Sequence, residues 1–189
     1  GGIHMNRKIF VTGATSGIGL ECARAFAKDG DNLLLAGRRA DRLTAIKEDF
    51  EQQYGVRVDT LVLDVSKRED VESKVKPAIE AFGGIDVLVN NAGFGDCGKF
   101  YETDLEKDIS MINTNILGLH VLTKLFLQDM VKVNKGYILN IASIAGFMPG
   151  PLMATYYSTK AYVVRLIRAI AKELKVDNSK VRIAAFCPG

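Results

Sequence analysis

The sequence predicts an α/β domain built as a doubly wound parallel sheet. Short apolar runs rich in Ile, Leu and Val alternate with longer stretches of helical periodicity, and a glycine-rich turn joins the first run to the first helical stretch. The strands are expected at residues 8–12, 32–36, 59–63, 85–89, 137–142 and 181–186. These runs are apolar on both sides, as strands covered on both faces require. Helices are expected at residues 17–28, 40–53, 67–82, 105–131 and 154–176. Strand–helix alternation with right-handed crossovers gives a parallel sheet flanked by helices, and six strands suffice for the order 3-2-1-4-5-6. Ligands of such sheets bind outside the carboxyl ends of the strands, so the loops after each strand are where chemistry is to be sought.

Composition narrows the function classes. With 189 residues, 48% hydrophobic and 25% charged, the chain reads as one ordinary globular domain. A net charge of +3 is small, scattered and without interleaved aromatics, which argues against a nucleic-acid partner. Residues 1–5 read as an expression-tag remnant, leaving 6–189 as the domain, and no signal peptide is expected after Met5. The longest uncharged stretch, residues 136–159, is broken by Asn140, Ser143, Gly146, Pro149, Gly150 and Pro151, so no membrane span is expected and the location is read as cytoplasmic. Cys22, Cys97 and Cys187 form neither a disulfide framework nor a zinc signature, and the single histidine of the domain, His120, is expected to be structural. No metal is expected.

The first strand runs into Gly13-Ala14-Thr15-Ser16-Gly17-Ile18-Gly19 and a helix follows. Glycines there let backbone N–H groups approach a pyrophosphate, and the helix N-terminus adds partial positive charge. The spacing departs from the common G-x-G-x-x-G, so position carries the argument rather than the glycines alone. The second strand ends in Gly37-Arg38-Arg39, where a site selective for NAD has an acidic residue. A guanidinium pairs bidentately with a 2′-phosphate, so Arg38, and after it Arg39, point to NADP(H). The alternative is a solvated arginine pair opening a helix. Asp64-Val65 after the third strand could meet the adenine amino group, and Asn90-Asn91-Ala92-Gly93 after the fourth could tie strand ends together beside the cofactor.

Tyr156-x-x-x-Lys160 opens the late helix, four residues apart and thus on one face. Ser143 ends the fifth strand. A phenol with a pKa of about 10 needs a neighbouring cation to work as a base near neutrality, and Lys160 with an oxidised nicotinamide would supply it. Tyr156 is then the acid/base, Ser143 the hydrogen-bond partner of the substrate oxygen, and Lys160 also the holder of the nicotinamide ribose.

Taken in order, Thr12-Gly13-x-x-x-Gly17-x-Gly19, Asn90-Asn91-Ala92-Gly93, Asn115, Ser143, Tyr156-x-x-x-Lys160 and Pro188-Gly189 resemble the motif set of the short-chain dehydrogenase/reductases. The resemblance implies a Rossmann-fold oxidoreductase acting on carbonyls or secondary alcohols. In it Asn115 completes a tetrad by holding a water behind Lys160, and Pro188 and Gly189 begin a loop at the nicotinamide. It also implies a seventh strand and a substrate lid beyond residue 189, and pairing of subunits through the two long helices into a homodimer or homotetramer. The uncharged residues 144–153, with Phe94 and Cys97, suggest an apolar or weakly polar small-molecule substrate. Two other readings remain: a non-catalytic sensor of NADP(H) on the same fold, and a methyltransferase, which would carry an acidic residue after the second strand.

Overall fold

In the computed structural model, residues 6–91, 93–95, 97–141 and 153–186 are described. The elements follow in order as β1 (Lys8–Val11), α1 (Gly17–Lys28), β2 (Asn32–Gly37), α2 (Ala40–Tyr54), β3 (Val58–Val62), α3 (Arg68–Phe82), β4 (Val87–Asn90), α4 (Leu105–Ile112), a π-helical segment (Asn113–Gly118), α5 (Leu119–Val133), β5 (Tyr137–Ile141), α6 (Ala154–Val176) and β6 (Arg182–Phe186). All strand pairs are parallel, and the six strands stand in the order β3-β2-β1-β4-β5-β6, as the alternating pattern predicts. Ile9 sits opposite Leu33 on one side and Val87 on the other, which fixes β1 at the point where strand order reverses.

Alternate residues along each strand feed two separate cores, the consequence of a two-residue side-chain period. Phe10, Leu34, Leu88 and Ile138 pack with Phe126, Val163 and Ile167 under α3, α5 and α6. Ile9, Val11, Leu33, Leu35, Val87 and Val89 pack with Ala23, Ala27, Leu43 and Phe50 under α1 and α2. Phe10 and Phe126 meet edge to face at 5.4 Å. Full burial of each such side chain contributes about 1.5–3 kcal/mol, so the sheet is held from both faces.

One expected element differs. Residues 105–131 carry continuous helical periodicity, yet the helix is interrupted at Asn113–Gly118 by the π-helical segment. There Asn115 bonds the backbone of Phe94 in a different loop. Side-chain periodicity does not encode that competing partner.

At the opposite edge of the sheet, Asp31 is fully buried and accepts from Arg7 N and Nε (both 3.2 Å) and Nη2 (2.8 Å). The carboxylate holds the Arg7 guanidinium above its ordinary pKa. Removing it leaves the half-exposed arginine only its stacking on Phe26 and strips the partly buried Arg7 N–H of its acceptor. Asp31→Ala should therefore cost about 2 kcal/mol, measured by urea unfolding, and a loss below a few tenths of that figure would show the pair to be ornamental.

Candidate active site

The carboxyl edge of the sheet opens into a cavity of about 490 Å³ that runs from the end of β2, past the β1–α1 turn, to the start of α6. Gly13 and Gly17 take φ of 58° and 57°, the left-handed region that a side chain disfavours, and they turn the chain sharply into α1. Ser16 makes no side-chain cap bond and the first turn of α1 holds no acidic residue, so the helix presents bare N–H groups to the cavity. Gly19 does not line the cavity. It backs the turn, where a Cβ would overlap the Gly13 carbonyl oxygen and Asn91 Nδ2.

Backbone hydrogen bonds lock this turn to its neighbours. Thr12 N donates to Val89 O at 3.0 Å and Ala14 N to Ala36 O at 3.2 Å. Asn91 N donates to Thr12 Oγ1 at 3.0 Å, and Asn91 Nδ2 to Gly13 O at 3.2 Å. The adjacent Asn90 is buried and spans β4 to β5 and α5, with Nδ2 donating to Asn140 Oδ1 and Thr123 Oγ1. The paired amides thus divide their work: one braces the glycine turn, the other the sheet beneath it.

Thr15, Ser16, Gly17 and Ile18 line the cavity at the glycine turn. Arg38 and Arg39 line its β2 end, and Arg42, one turn into α2, joins them. The sequence reading missed Arg42, although its place three residues after Arg39 at a helix start was the available signal. Asp64 and Val65 also line the cavity. The Asp64 carboxylate is partly engaged within its own turn, accepting from Ser66 N at 3.0 Å and Ser66 Oγ at 2.6 Å through Oδ1.

Tyr156 and Lys160 line the far end together with Gly93, Phe94 and Ile141. Tyr156 is 6% exposed, and the Lys160 ammonium stands 5.6 Å from the centre of its ring. Burial pushes the Lys160 amine below its ordinary pKa, and no counter-charge among the described residues offsets this. Asn115 is 1% exposed and does not line the cavity. Its Nδ2 donates to Phe94 O at 2.8 Å and to Thr159 Oγ1 at 3.2 Å, while its Oδ1 accepts from Phe94 N at 3.1 Å. Among the described residues, one Oδ1 lone pair of that amide has no donor. Ala92, Ser143, Pro188 and Gly189 lie outside the described residues, as do most of residues 144–153. His120 bonds Tyr162 Oη through Nδ1 at 2.7 Å, joining α5 to α6 away from the cavity.

The profile of the short chain dehydrogenase family matches residues 7–189. The chain belongs to the short-chain dehydrogenase/reductase family. It is 38% identical over 169 residues to a very-long-chain 3-oxoacyl-CoA reductase of Anas platyrhynchos, covering 87% of this chain and 54% of that protein. The chain therefore spans about half the length of that curated relative. Among solved structures, a short chain dehydrogenase/reductase from Burkholderia phymatum in complex with NAD superposes with a TM-score of 0.90 at 29% identity, covering 97% of this chain and 65% of the other. An alcohol dehydrogenase from the archaeon Thermococcus sibiricus complexed with 5-hydroxy-NADP superposes with a TM-score of 0.85 at 37% identity, covering 97% and 76%. Both share the Rossmann architecture described above. Among the described residues, no helix is long and apolar enough to cross a membrane.

The lowered amine of Lys160 has a testable consequence for stability. Between its folded pKa and the ordinary value of 10.5, the folded state binds fewer protons than the unfolded state. The residue therefore penalises folding at neutral pH, and the penalty fades as pH rises through the folded pKa. Lys160→Met should melt higher than the parent at pH 7, with the gap closing toward pH 10. A variant that melts lower at pH 7 would refute the assignment of a costly buried cation.

Proposed function

We propose that this chain is an oxidoreductase that transfers a hydride between NADP(H) and a carbonyl or secondary alcohol, with Tyr156 as general acid/base. The observation that carries the reading is a single cavity joining the glycine turn, an arginine cluster and the Tyr156–Lys160 pair. The residues suit the dinucleotide. The space that a Cβ on Gly19 would fill lets the turn close tightly, the bare start of α1 suits a pyrophosphate, and Asn91 and Gly93 flank the path toward Tyr156.

The bound nicotinamide supplies or accepts the hydride at the substrate carbon. In the reductive direction the Tyr156 phenol gives its proton to the carbonyl oxygen, so that C=O, hydride and proton become CH–OH. The Lys160 ammonium beside the ring stabilises the phenolate that remains. Ser143 is assigned the hydrogen bond to the substrate oxygen, and Lys160 a second contact to the nicotinamide ribose. Asn115 is assigned to the proton relay behind Lys160, where its one free lone pair can accept from a water. Ala92, Pro188 and Gly189 are assigned to the nicotinamide end of the cofactor.

The solved neighbours differ in cofactor, one carrying NAD and another an NADP derivative, so the choice rests on this chain's own residues. Arg38, Arg39 and Arg42 put three guanidiniums at the cavity end where a 2′-phosphate belongs, and no acidic residue stands at Gly37 to accept from a ribose hydroxyl. The exposed Phe94 in the cavity wall, followed by the strongly exposed Phe100 and Tyr101, supports an apolar or weakly polar carbonyl compound as substrate. Half-buried Leu166 and Ile170 on α6, beside the α5 groove, support pairing of two copies through these helices as a homodimer or homotetramer, and the proposed location is cytoplasmic.

Tyr156→Phe should leave NADPH binding near the parent value and lower turnover of a ketone panel by at least about 10²–10⁴-fold, the range supplied by general acid–base catalysis. Near-parent turnover, followed by NADPH absorbance, would remove Tyr156 from the chemistry. Arg38→Asp should weaken NADPH by roughly 30–100-fold while changing NADH by a few-fold at most, from the loss of one charge-assisted pair. Equal losses in fluorescence titrations would place the 2′-phosphate elsewhere.

A further inference from the structure

We infer that Thr159 is a positioning residue that holds Tyr156 in place by closing a ring of contacts through Asn115 and the 93–95 loop. The inference rests on the reading of Tyr156 as the acid/base, and its geometry is independent of cofactor and substrate.

The ring of contacts can be followed atom by atom. Thr159 is 1% exposed on the first turns of α6. Its hydroxyl donates to the Tyr156 carbonyl at 2.8 Å, an i to i−3 back-bond within the helix. The same oxygen accepts from Asn115 Nδ2 at 3.2 Å. Asn115 in turn grips Phe94 at both its N–H and its carbonyl. The next residue, Gly95, lies flat against the Tyr156 ring, where a Cβ would stand 3.0 Å from Cδ2, 3.2 Å from Cγ and 3.3 Å from Cε2. The path thus leaves Tyr156 at its backbone and returns to it at its ring. Asn115 is the hub of the path, and Thr159 is the joint that ties the hub to α6.

The hydroxyl cannot be replaced by shape alone. Valine matches threonine in volume, yet it would leave one buried Asn115 N–H without an acceptor, and buried donors are costly to orphan. The amide would then be free to turn, which loosens its hold on Phe94 and the packing of Gly95 on the ring. A tyrosine that transfers a proton to a substrate oxygen has to hold its hydroxyl within a few tenths of an ångström, and small misplacements cost rate rather than binding. Serine keeps the hydroxyl and both bonds.

The experiment compares Thr159→Val, Thr159→Ser and Gly95→Ala with the parent protein. Thr159→Val should lower kcat by roughly 10–100-fold with KM for NADPH within about two-fold, while Thr159→Ser stays within about three-fold of the parent in both. Gly95→Ala displaces the ring from the other end without removing a polar group, and it should give the same loss of kcat at unchanged NADPH affinity. Hydrogen exchange read at the Phe94 amide should be faster in Thr159→Val and parent-like in Thr159→Ser. Equal kcat in all three variants, failure of serine to rescue, or an unchanged Phe94 amide in Thr159→Val would overturn the inference. If Thr159→Val does not fold, Thr159→Ala takes its place, with the same loss of kcat and faster Phe94 exchange expected and parent-like values in both overturning the inference. A parent protein that binds NADPH yet passes its hydride to none of the ketones tested would sink the oxidoreductase reading instead, and the Phe94 exchange comparison would then stand as the test of the clamp.

Discussion

The hydrogen bonds that tie the end of β1 to the end of β4 are the constraint from which the site follows. β1 pairs on one side with β2 and on the other with β4, so the crossovers leave it in opposite directions and a crevice opens above it. Thr12 closes the floor of that crevice, its N–H donating to Val89 O and its Oγ1 accepting from Asn91 N. Asn91 reaches on to the Gly13 carbonyl, which holds the glycine turn at the height where α1 begins. Without this tie the turn, with two residues at positive φ, would be held by the Ala14 N–H bond to Ala36 O and by packing against Gly19. The arginine cluster and the Tyr156–Lys160 pair, on either side, would then share a looser frame.

The same region accepts polar burial that an apolar core would avoid. Asn90, Asn140 and Thr123 form a buried chain between the sheet and α5, and the Asn140 Nδ2 finds no acceptor among the described residues. Asn115 and Thr159 make a second buried polar pair. Isoleucine or leucine at such positions would pack as well at lower desolvation cost. What amides offer instead is direction: each bond fixes an orientation, and two strand ends, a π-helical segment and a helix start are aligned by them. The opposite edge carries polar ties of its own, Arg7 to Asp31 and Lys8 N to Asp86, but these join loop starts rather than the elements that line the cavity.

The fold and the line of the cavity were legible because they arise from short-range patterns. Apolar runs of strand length, helical periodicity between them and a glycine turn after the first strand were enough to place six strands, and the order β3-β2-β1-β4-β5-β6 is that of the doubly wound sheet six such strands complete. The loops after β1, β2, β3 and β4 were singled out on the same ground, and Thr15, Ser16, Arg38, Asp64 and Asn91 all line one cavity. What stayed hidden depends on partners far apart in sequence. The π-helical break at Asn113–Gly118 accompanies a bond to a loop 21 residues earlier. Thr159 reads as an ordinary helical threonine until Asn115 is brought against it, 44 residues away in the chain. Arg42 sits among exposed α2 residues, and only the turn of the helix aims it at the arginine pair.

The charge layout makes the cavity directional before any ligand arrives. Cations stand at its two ends, Arg38, Arg39 and Arg42 at one and Lys160 at the other, with the bare N-terminus of α1 between them. Asp64 is the acidic residue in the lining, and its own turn already draws on its carboxylate. The two ends differ in solvation, however. The arginines are exposed and lose little by waiting in water, whereas Lys160 is desolvated and its charge is held at a cost that its lowered pKa records. An anion bound along the cavity would therefore gain steering and register from the arginine end and relieve an existing penalty at the lysine end. On the proposed reading, cofactor selectivity and proton transfer fall at opposite ends of one crevice, so altering the arginines would leave Tyr156 and Lys160 in place.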